Sequence, residues 1–168
     1  KLGFVSKEDG IECEQGFFLT HGWDKKIPPR AIENLGTDFL FPEIKYKFHA
    51  CCHGLHSFLE ALDELKLENN FNPETIEEIE IETNPSWLKV CNIEKPKTGL
   101  ESKFSYKLTA AMSIYGKDTS DLDTYSDDIC FDDNLNNIRD KVRVIPNDNL
   151  SNTQSLISIK DGSSNVKN

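Results

Sequence analysis

The sequence lacks the features that mark several large classes of protein. No apolar run approaches the ~20 residues of a transmembrane helix, and the first residues contain no apolar core of a secretory signal. Cations are also scarce, because 29 acidic residues against 19 Lys and Arg give a net charge of −10. Since phosphate contacts need clustered cations, this charge disfavours nucleic acid and anionic membrane surfaces as partners.

The number and spacing of the cysteines do not fit a disulfide framework. The five cysteines are an odd number and include no CxxC spacing, which argues against both a disulfide scaffold and a zinc ribbon. Reduced thiols in a cytoplasmic protein fit better. The chain of 168 residues is long enough for one compact domain, and its hydrophobic fraction of 37% is low. We therefore expect a single cytoplasmic domain, part of which is loop or rests against something that is missing.

Two stretches repeat apolar residues at helical spacing. The first predicts a helix from about residue 52 to 67, with Leu55, Phe58, Leu59, Leu62 and Leu65 on its buried side. The second predicts a helix from about 100 to 115, with a stripe of Leu100, Phe104, Leu108, Ala111 and Tyr115. Gly116 then stands where a helix ends.

Other segments alternate or cluster apolar residues as strands do. Ile79 and Ile81 alternate with glutamates, which predicts a half-buried strand over 76–83. Short apolar runs at 142–145 and 156–159 predict two further strands, and a short strand is expected at 43–48. The resulting fold class is α+β, a small lid-type domain with two long helices packed on a mainly antiparallel sheet. Its expected core is Leu55, Phe58, Leu59, Leu62, Ile79, Ile81, Phe104, Ala111, Val144 and Ile157.

Shorter signals complete the prediction. Asn84 and Pro85 start a short helix, Asp133 caps another through about Asp140, and Asp161 with Gly162 forms a hairpin turn. Residues 1–40 show no sustained period and are expected to be an irregular entry segment, and the polar residues 163–168 are expected to be a disordered tail. Both ends look cut, so we expect a fragment of a longer protein.

The residues that carry chemistry are concentrated in one place. Three of the four histidines and two of the five cysteines lie between His49 and His56, with Lys47 just upstream. On a helix starting near His49, the side chains of His49, Cys52 and His56 would share one edge beside the apolar stripe. Such an edge is partly desolvated yet reachable, which shifts pKa values. A histidine there could act as general base or acid, and Lys47 could hold a carboxylate or stabilise an enolate.

Several alternatives remain open at this point. His49, Cys52 and His56 could ligate a metal, although no fourth ligand has matching spacing. Cys51 or Cys52 could be a nucleophile paired with a histidine, or the whole cluster could simply pack under a lid. Lys103 and Lys107 share an edge of the second helix. These lysines are either solvated, or one of them is a second cation that faces a carboxylate substrate.

Two of these segments resemble motifs of the MmgE/PrpD family. The stretch 47–52 begins with Lys47 and is followed by His56, which matches the family's spacing of nine residues between Lys and His. The stretch 98–105, in which Lys103 precedes a Phe and a Ser, is similar to the family's basic-Phe-Ser helix. The resemblance covers most of the chain, from about Glu14 to Gly162.

The resemblance implies a function and a missing partner. The family includes 2-methylcitrate dehydratase, cis-aconitate decarboxylase and iminodisuccinate epimerase, which abstract a proton next to a carboxylate without a metal or organic cofactor. In such enzymes the active site lies between an all-helical domain and a smaller α+β lid. This chain matches the lid, so the implied partners are a small carboxylate substrate and the N-terminal helical domain. The resemblance is also compatible with a homodimer, and it implies that the fragment alone is inactive.

The candidate site residues all lie in these two motif segments or directly after them. We assign catalytic roles to Lys47, Cys52 and His56, and substrate binding to His49 and Lys103; of these, His49 departs from the family, in which many members have Tyr or Pro at that position. Cys52 stands where decarboxylase-like members have His, which favours a dehydratase or an epimerase, and Leu108 stands where the family often has Tyr. The alternative is a non-catalytic binding or interaction module that retained the fold. If Lys47, His49 and His56 were all fully buried and bonded to the backbone, the cluster would be structural.

Overall fold

A computed structural model describes residues 9–11, 13–21, 34, 36–39 and 41–162, together with the backbone of Ser164–Lys167. These residues belong to two compact units, Lys1–Lys45 and Tyr46–Asn168. In the first unit, a single helical turn, α1 (Phe17–Thr20), begins after Gly16. A Cβ at Gly16 would lie 2.7 Å from the carbonyl oxygen of Ile11, so the turn packs closely on the preceding loop. This unit covers the irregular entry segment expected at residues 1–40.

The second unit is built on a four-stranded mixed sheet. Its strands are β1 (Ile76–Thr83), β2 (Val142–Pro146), β3 (Ser155–Asp161) and β4 (Ser164–Lys167), in the spatial order β2-β1-β3-β4. The central strand β1 pairs in parallel with β2 and antiparallel with β3, and β3 pairs antiparallel with β4. The strands predicted at 76–83, 142–145 and 156–159 are therefore confirmed, and so is the α+β class.

The central strand β1 has one buried face and one charged face. Along β1, Ile79 and Ile81 are fully buried, whereas the intervening Glu78 and Glu80 face solvent and contact Arg143 of β2. This is the alternation that the sequence shows, because successive side chains of a strand point to opposite faces. The buried isoleucines of the sheet share one core with the buried side chains of the helices, so helices cover this face of the sheet.

The first predicted helix is confirmed with a later start. Residues His53–Leu55 form a 3₁₀ turn, and α2 (His56–Glu68) continues from it. Its buried residues include Phe58, Leu59 and Leu62, which belong to the predicted apolar stripe. The helix packs against β3.

The second predicted helix is interrupted, and the prediction of one helix over 100–115 was wrong. Two helices stand in its place, α4 (Gly99–Ser102) and α5 (Tyr106–Ile114). The break falls at Ser105, whose backbone is extended and whose hydroxyl caps α5 by accepting from the Leu108 N–H at 3.2 Å. As a result Leu100 is 69% exposed, and α5 is buried nearly all round by α2, α6 (Asp133–Arg139) and β2.

Three local details differ from the prediction. Residues Phe41–Glu43 form a 3₁₀ turn followed by irregular chain, in place of a strand at 43–48. The cap of α6 is Asp132, which accepts from two backbone N–H groups, and not Asp133. The segment predicted to be a disordered tail adds strand β4 to the sheet. The short helix α3 (Pro85–Leu88) is capped by Asn84 as expected.

The expected core is largely the observed one. Eight of its ten members are buried; the other two, Phe104 and Val144, are half-buried at the rim of the core. Within the part of the chain that the structure describes, every helix is too short or too polar to cross a membrane.

Candidate functional site

The two segments that resemble family motifs meet in space. The backbone N–H of Cys52 donates to the carbonyl oxygen of Lys103 at 2.9 Å, and the N–H of Ala50 donates to the carbonyl of Thr119 at 2.8 Å. The chain before α2 is therefore fixed between the end of α4 and the loop that follows α5. Residues separated widely in sequence thus surround the same turn.

Buried polar groups hold the 3₁₀ turn His53–Leu55 in place. The hydroxyl of Tyr106, fully buried on α5, donates to the carbonyl oxygen of Gly54 at 2.8 Å and lies 3.1 Å from the Thr83 hydroxyl. A Cβ at Gly54 would lie 2.5 Å from the ring of Trp87, so glycine allows the indole to pack directly on the turn. Both contacts fix the backbone at Gly54, and with it the positions from which the His53 and His56 side chains extend.

Three histidine rings pack together at this turn. The ring centroids of His49 and His56 are 5.1 Å apart in an edge-on arrangement, and those of His53 and His56 are 5.0 Å apart and stacked. The predicted clustering of His49 and His56 is therefore observed, but not through one helix edge. His49 lies in a bend before the 3₁₀ turn, and the loop carries its ring back onto His56.

His56 lies at the centre of this cluster and is 6% exposed. Its Nε2 is buried and has no hydrogen-bond partner among the described residues. Burial, helped by the charges of His49, His53 and Lys47, lowers the pKa of His56 to about 4. At neutral pH this side chain is an uncharged base.

His49 is half-buried above it. Its Nδ1 lies 2.7 Å from the hydroxyl of Thr119. Burial lowers the pKa of His49, while the nearby carboxylates of Asp63, Glu60 and Asp118 act in the opposite direction. The ring is thus held in place by the loop that follows α5.

Lys47 is exposed next to the histidines. Its ammonium donates to the carbonyl oxygen of Cys51 at 3.0 Å, which leaves further N–H donors for a ligand. Since Lys47 is exposed and His49 is only half-buried, the condition set for a purely structural cluster is not met.

The cysteines face the interior. Burial raises the pKa of Cys51 to about 11 and that of Cys91 to about 12, and the thiol of half-buried Cys52 interacts with Cys91. A protonated thiol is a poor nucleophile, so the structure gives no support to Cys51 as one. Among the described residues, no three His, Cys, Asp or Glu side chains are grouped so as to hold a metal ion.

Lys103 joins the site through its backbone. Its carbonyl accepts from Cys52, but its ammonium lies 5.5 Å above the ring of Tyr125 in a cation–π contact. Lys107 is paired with Glu94 at 3.6 Å. The two lysines that share an edge in the sequence pattern are therefore occupied in different places.

An open cleft of about 180 Å³ adjoins the histidine cluster. Its lining residues are Tyr46, Phe48, His53, His56, Ser57, Glu60, Asn152 and Thr153. Sequence reasoning missed His53, which lies beside the predicted residues, and the opposite wall at Asn152 and Thr153. No Lys or Arg is among the described residues that line the cleft, and Glu60 adds a negative charge to it.

Comparison with known families identifies this architecture. A model of the MmgE/PrpD C-terminal domain matches residues 49–165. The chain belongs to the MmgE/PrpD family. A search of curated proteins found no match to the sequence.

The matched region of this MmgE/PrpD domain covers the second motif segment, most of the first and nearly all of the second unit. It begins at His49 and ends within β4, so Lys47 lies two residues before it. The resemblance seen in the sequence is thereby confirmed for the C-terminal domain. The roles assigned to Lys47, His49, Cys52, His56 and Lys103 remain predictions.

Proposed function

We propose that this MmgE/PrpD domain forms one wall of the active site of a cofactor-independent enzyme acting on a di- or tricarboxylate. The reaction would be proton abstraction next to a carboxylate, as in 2-methylcitrate dehydratase or an epimerase of the family. The second wall would be the helical domain that the family resemblance implies. The supporting observation is the neutral, buried His56, whose Nε2 has no partner among the described residues, beside the exposed ammonium of Lys47.

The energetics favour a functional explanation of that nitrogen. A buried polar atom without a partner costs about 1–3 kcal/mol, and such atoms need an explanation wherever they occur. A neutral imidazole is prepared to accept a proton. A proton taken from carbon would make His56 a cation and the substrate an enolate.

Lys47 would stabilise the charge that develops in this step. Its ammonium attracts the substrate carboxylate and then the enolate, while the N-terminus of α2 adds a favourable dipole. His53 is half-exposed, is stacked on His56 and lines the same cleft, and it would move aside as substrate binds. In a dehydration, the hydroxide leaves as water with the proton held by His56. In an epimerisation, an acid from the second wall would protonate the opposite face, and His56 would release its proton to solvent.

One observation favours the alternative, a binding module without catalysis. Glu60 lines the cleft, and no described Lys or Arg does, so the cleft itself has little attraction for a polyanion. In that case the fold and the histidine cluster persist without turnover. The distinction is chemical, because only the enzyme exchanges the proton next to the carboxylate.

The first test is a citrate titration of the chain, followed by NMR of the histidine ring resonances at constant ionic strength. We expect a dissociation constant of about 1–10 mM, consistent with half of a binding site. The resonances of the His49–His56 cluster should shift, and those of His21 in the first unit should not. Lys47→Ala should weaken binding at least fivefold, whereas Lys160→Ala, which removes an equal charge near Glu77, should leave it unchanged. Absence of citrate binding by the wild-type chain would refute the proposed site.

The second test follows deuterium from solvent into 2-methylcitrate. The chain alone should give no turnover, since positioning by two walls supplies much of a rate enhancement. In a polypeptide that also contains the helical domain, exchange next to the carboxylate that is lost in His56→Gln supports the enzyme. Binding without exchange supports the module.

A further inference from the structure

The wall of the cleft opposite the histidines is a loop that three hydrogen bonds fix in place. The Asn84 amide donates to the carbonyl of Leu150 at 2.7 Å, and the Ser86 hydroxyl bridges Asn84 Oδ1 at 2.7 Å and Asn152 Oδ1 at 2.9 Å. The indole Nε1–H of Trp87 donates to the carbonyl of Asn152 at 2.9 Å. All three donors belong to α3 or its cap, so α3 carries this wall of the cleft.

Trp87 contacts both walls of the cleft. Its ring packs on Gly54, between the two histidines that line the cleft, where even a methyl group would lie 2.5 Å from ring carbons. Its N–H holds Asn152 on the other side. One rigid aromatic side chain therefore sets the separation between the histidine cluster and the loop.

The side chain of Asn152 is oriented by these contacts. Its Oδ1 lies 2.9 Å from the Ser86 hydroxyl, whose single hydrogen is shared with Asn84 Oδ1 at 2.7 Å. With Oδ1 on this side, the amide nitrogen is directed away from Ser86, where no described residue is hydrogen-bonded to it. Asn152 lines the same cleft as His53 and His56. The two N–H groups of an amide can donate to a carboxylate. Because the amide is neutral, it forms no ion pair with Glu60 that would compete with the ligand.

We propose that Asn152 is a carboxylate-binding residue of this cleft, and that Trp87 is the positioning residue that fixes its distance from the histidine cluster. The inference rests on the proposed function, since it names a second contact for the same ligand. It also accounts for anion binding in a cleft that the described Lys and Arg residues do not line.

The test is the same citrate titration on loop variants. Asn152→Ala should raise the dissociation constant about three- to tenfold, and Asn152→Asp more than tenfold, because a carboxylate there repels the ligand. Asn149→Ala, on the same loop but outside the cleft lining, is the matched control and should bind as the wild type does. Trp87→Phe keeps a ring on Gly54, loses the N–H donor and should weaken binding threefold or more.

A double-mutant cycle separates positioning from general destabilisation. If Trp87 acts through Asn152, Trp87→Phe combined with Asn152→Ala should bind no worse than Asn152→Ala alone, whereas additive losses would overturn the positioning role. Ser86→Ala offers a second route to the same question should Trp87→Phe fail to fold. Unchanged affinity of Asn152→Ala overturns this inference while leaving the proposed function intact. Absence of citrate binding by the wild type overturns both.

Discussion

The two motif segments of this domain differ in how their polar atoms are satisfied. Segment 47–56 contains an exposed Lys47, a half-buried His49 and a buried His56 with an unpartnered nitrogen. The hydroxyl side chains of segment 98–105 are hydrogen-bonded. The Thr98 hydroxyl caps α4 by accepting from the Glu101 N–H, the Ser102 hydroxyl donates to the Gly99 carbonyl, and the Ser105 hydroxyl caps α5. Since unsatisfied polar groups are costly, the first segment has the character of a site and the second that of a scaffold.

This difference shows that two motifs of one family need not have the same role. Lys103 contributes its carbonyl to the histidine turn and places its ammonium over Tyr125. A scaffold residue of this kind should affect stability when changed, and a site residue should affect ligand binding. Three predictions separate these outcomes.

The largest effect is expected in the scaffold, at Gly99. A Cβ there would lie 2.0 Å from the carbonyl oxygen of Tyr125, and the neighbouring atoms are backbone that cannot yield cheaply. Gly99→Ala should therefore lower the free energy of unfolding by about 3 kcal/mol or more, measured by urea denaturation. Gly116→Ala is the control, because that site is open among the described residues and has a φ of +69°, so it should cost only about 1 kcal/mol. Equal losses for the two variants would contradict the close packing of α4.

A slightly smaller effect is expected from acid at His56. Its pKa in the folded chain is about 4, below the ordinary 6.5, so between these values the unfolded chain binds more protons. Stability is therefore retained above pH 6.5 and lost as the pH falls towards 4, by up to about 3 kcal/mol from this one group. Urea denaturation at several pH values should show a shallower loss in His56→Gln than in the wild type. An NMR titration in which His56 protonates near pH 6.5 would contradict the burial argument.

The smallest effects distinguish a cap from a site lysine. Ser105→Ala removes the α5 cap and should cost about 1 kcal/mol of stability, with little change in citrate affinity. Ser126→Ala is its matched control, since Ser126 precedes a 3₁₀ turn and makes no side-chain cap bond among the described residues. Lys47→Ala should do the opposite, with stability within about 0.5 kcal/mol of wild type and weaker citrate binding. If Lys47→Ala destabilises the fold and leaves binding unchanged, the two segments have been assigned the wrong way round.

Periodicity predicted the elements whose burial is regular. The stripe through Leu55, Phe58 and Leu62 indicates α2, and the alternation around Ile79 and Ile81 indicates β1, because in each case one face is buried. The break before α5 escaped this reasoning, since apolar spacing continues through Phe104 and Leu108. A signal was present, however: Ser105 is a residue type that favours helix N-caps, and here its hydroxyl caps α5.

The candidate site was only half predictable for a similar reason. The density of His and Cys between His49 and His56 marks one wall of the cleft, whatever its secondary structure. The other wall at Asn152 lies in a polar loop without period, and its position depends on hydrogen bonds from Ser86 and Trp87 far along the chain. Single-sequence patterns describe local structure, and such long-range bonds are outside their reach.

The order of strands in the sheet bears on how this chain is synthesised. β1 is the first strand to leave the ribosome, yet it is the central one, and Ile79 pairs with both Val142 and Ile159. Until those late residues emerge, both edges of this central strand are unpaired, and such edges invite association with other chains. Glu78 and Glu80 on its outer face then act as protection, since like charges keep two nascent copies of the strand apart.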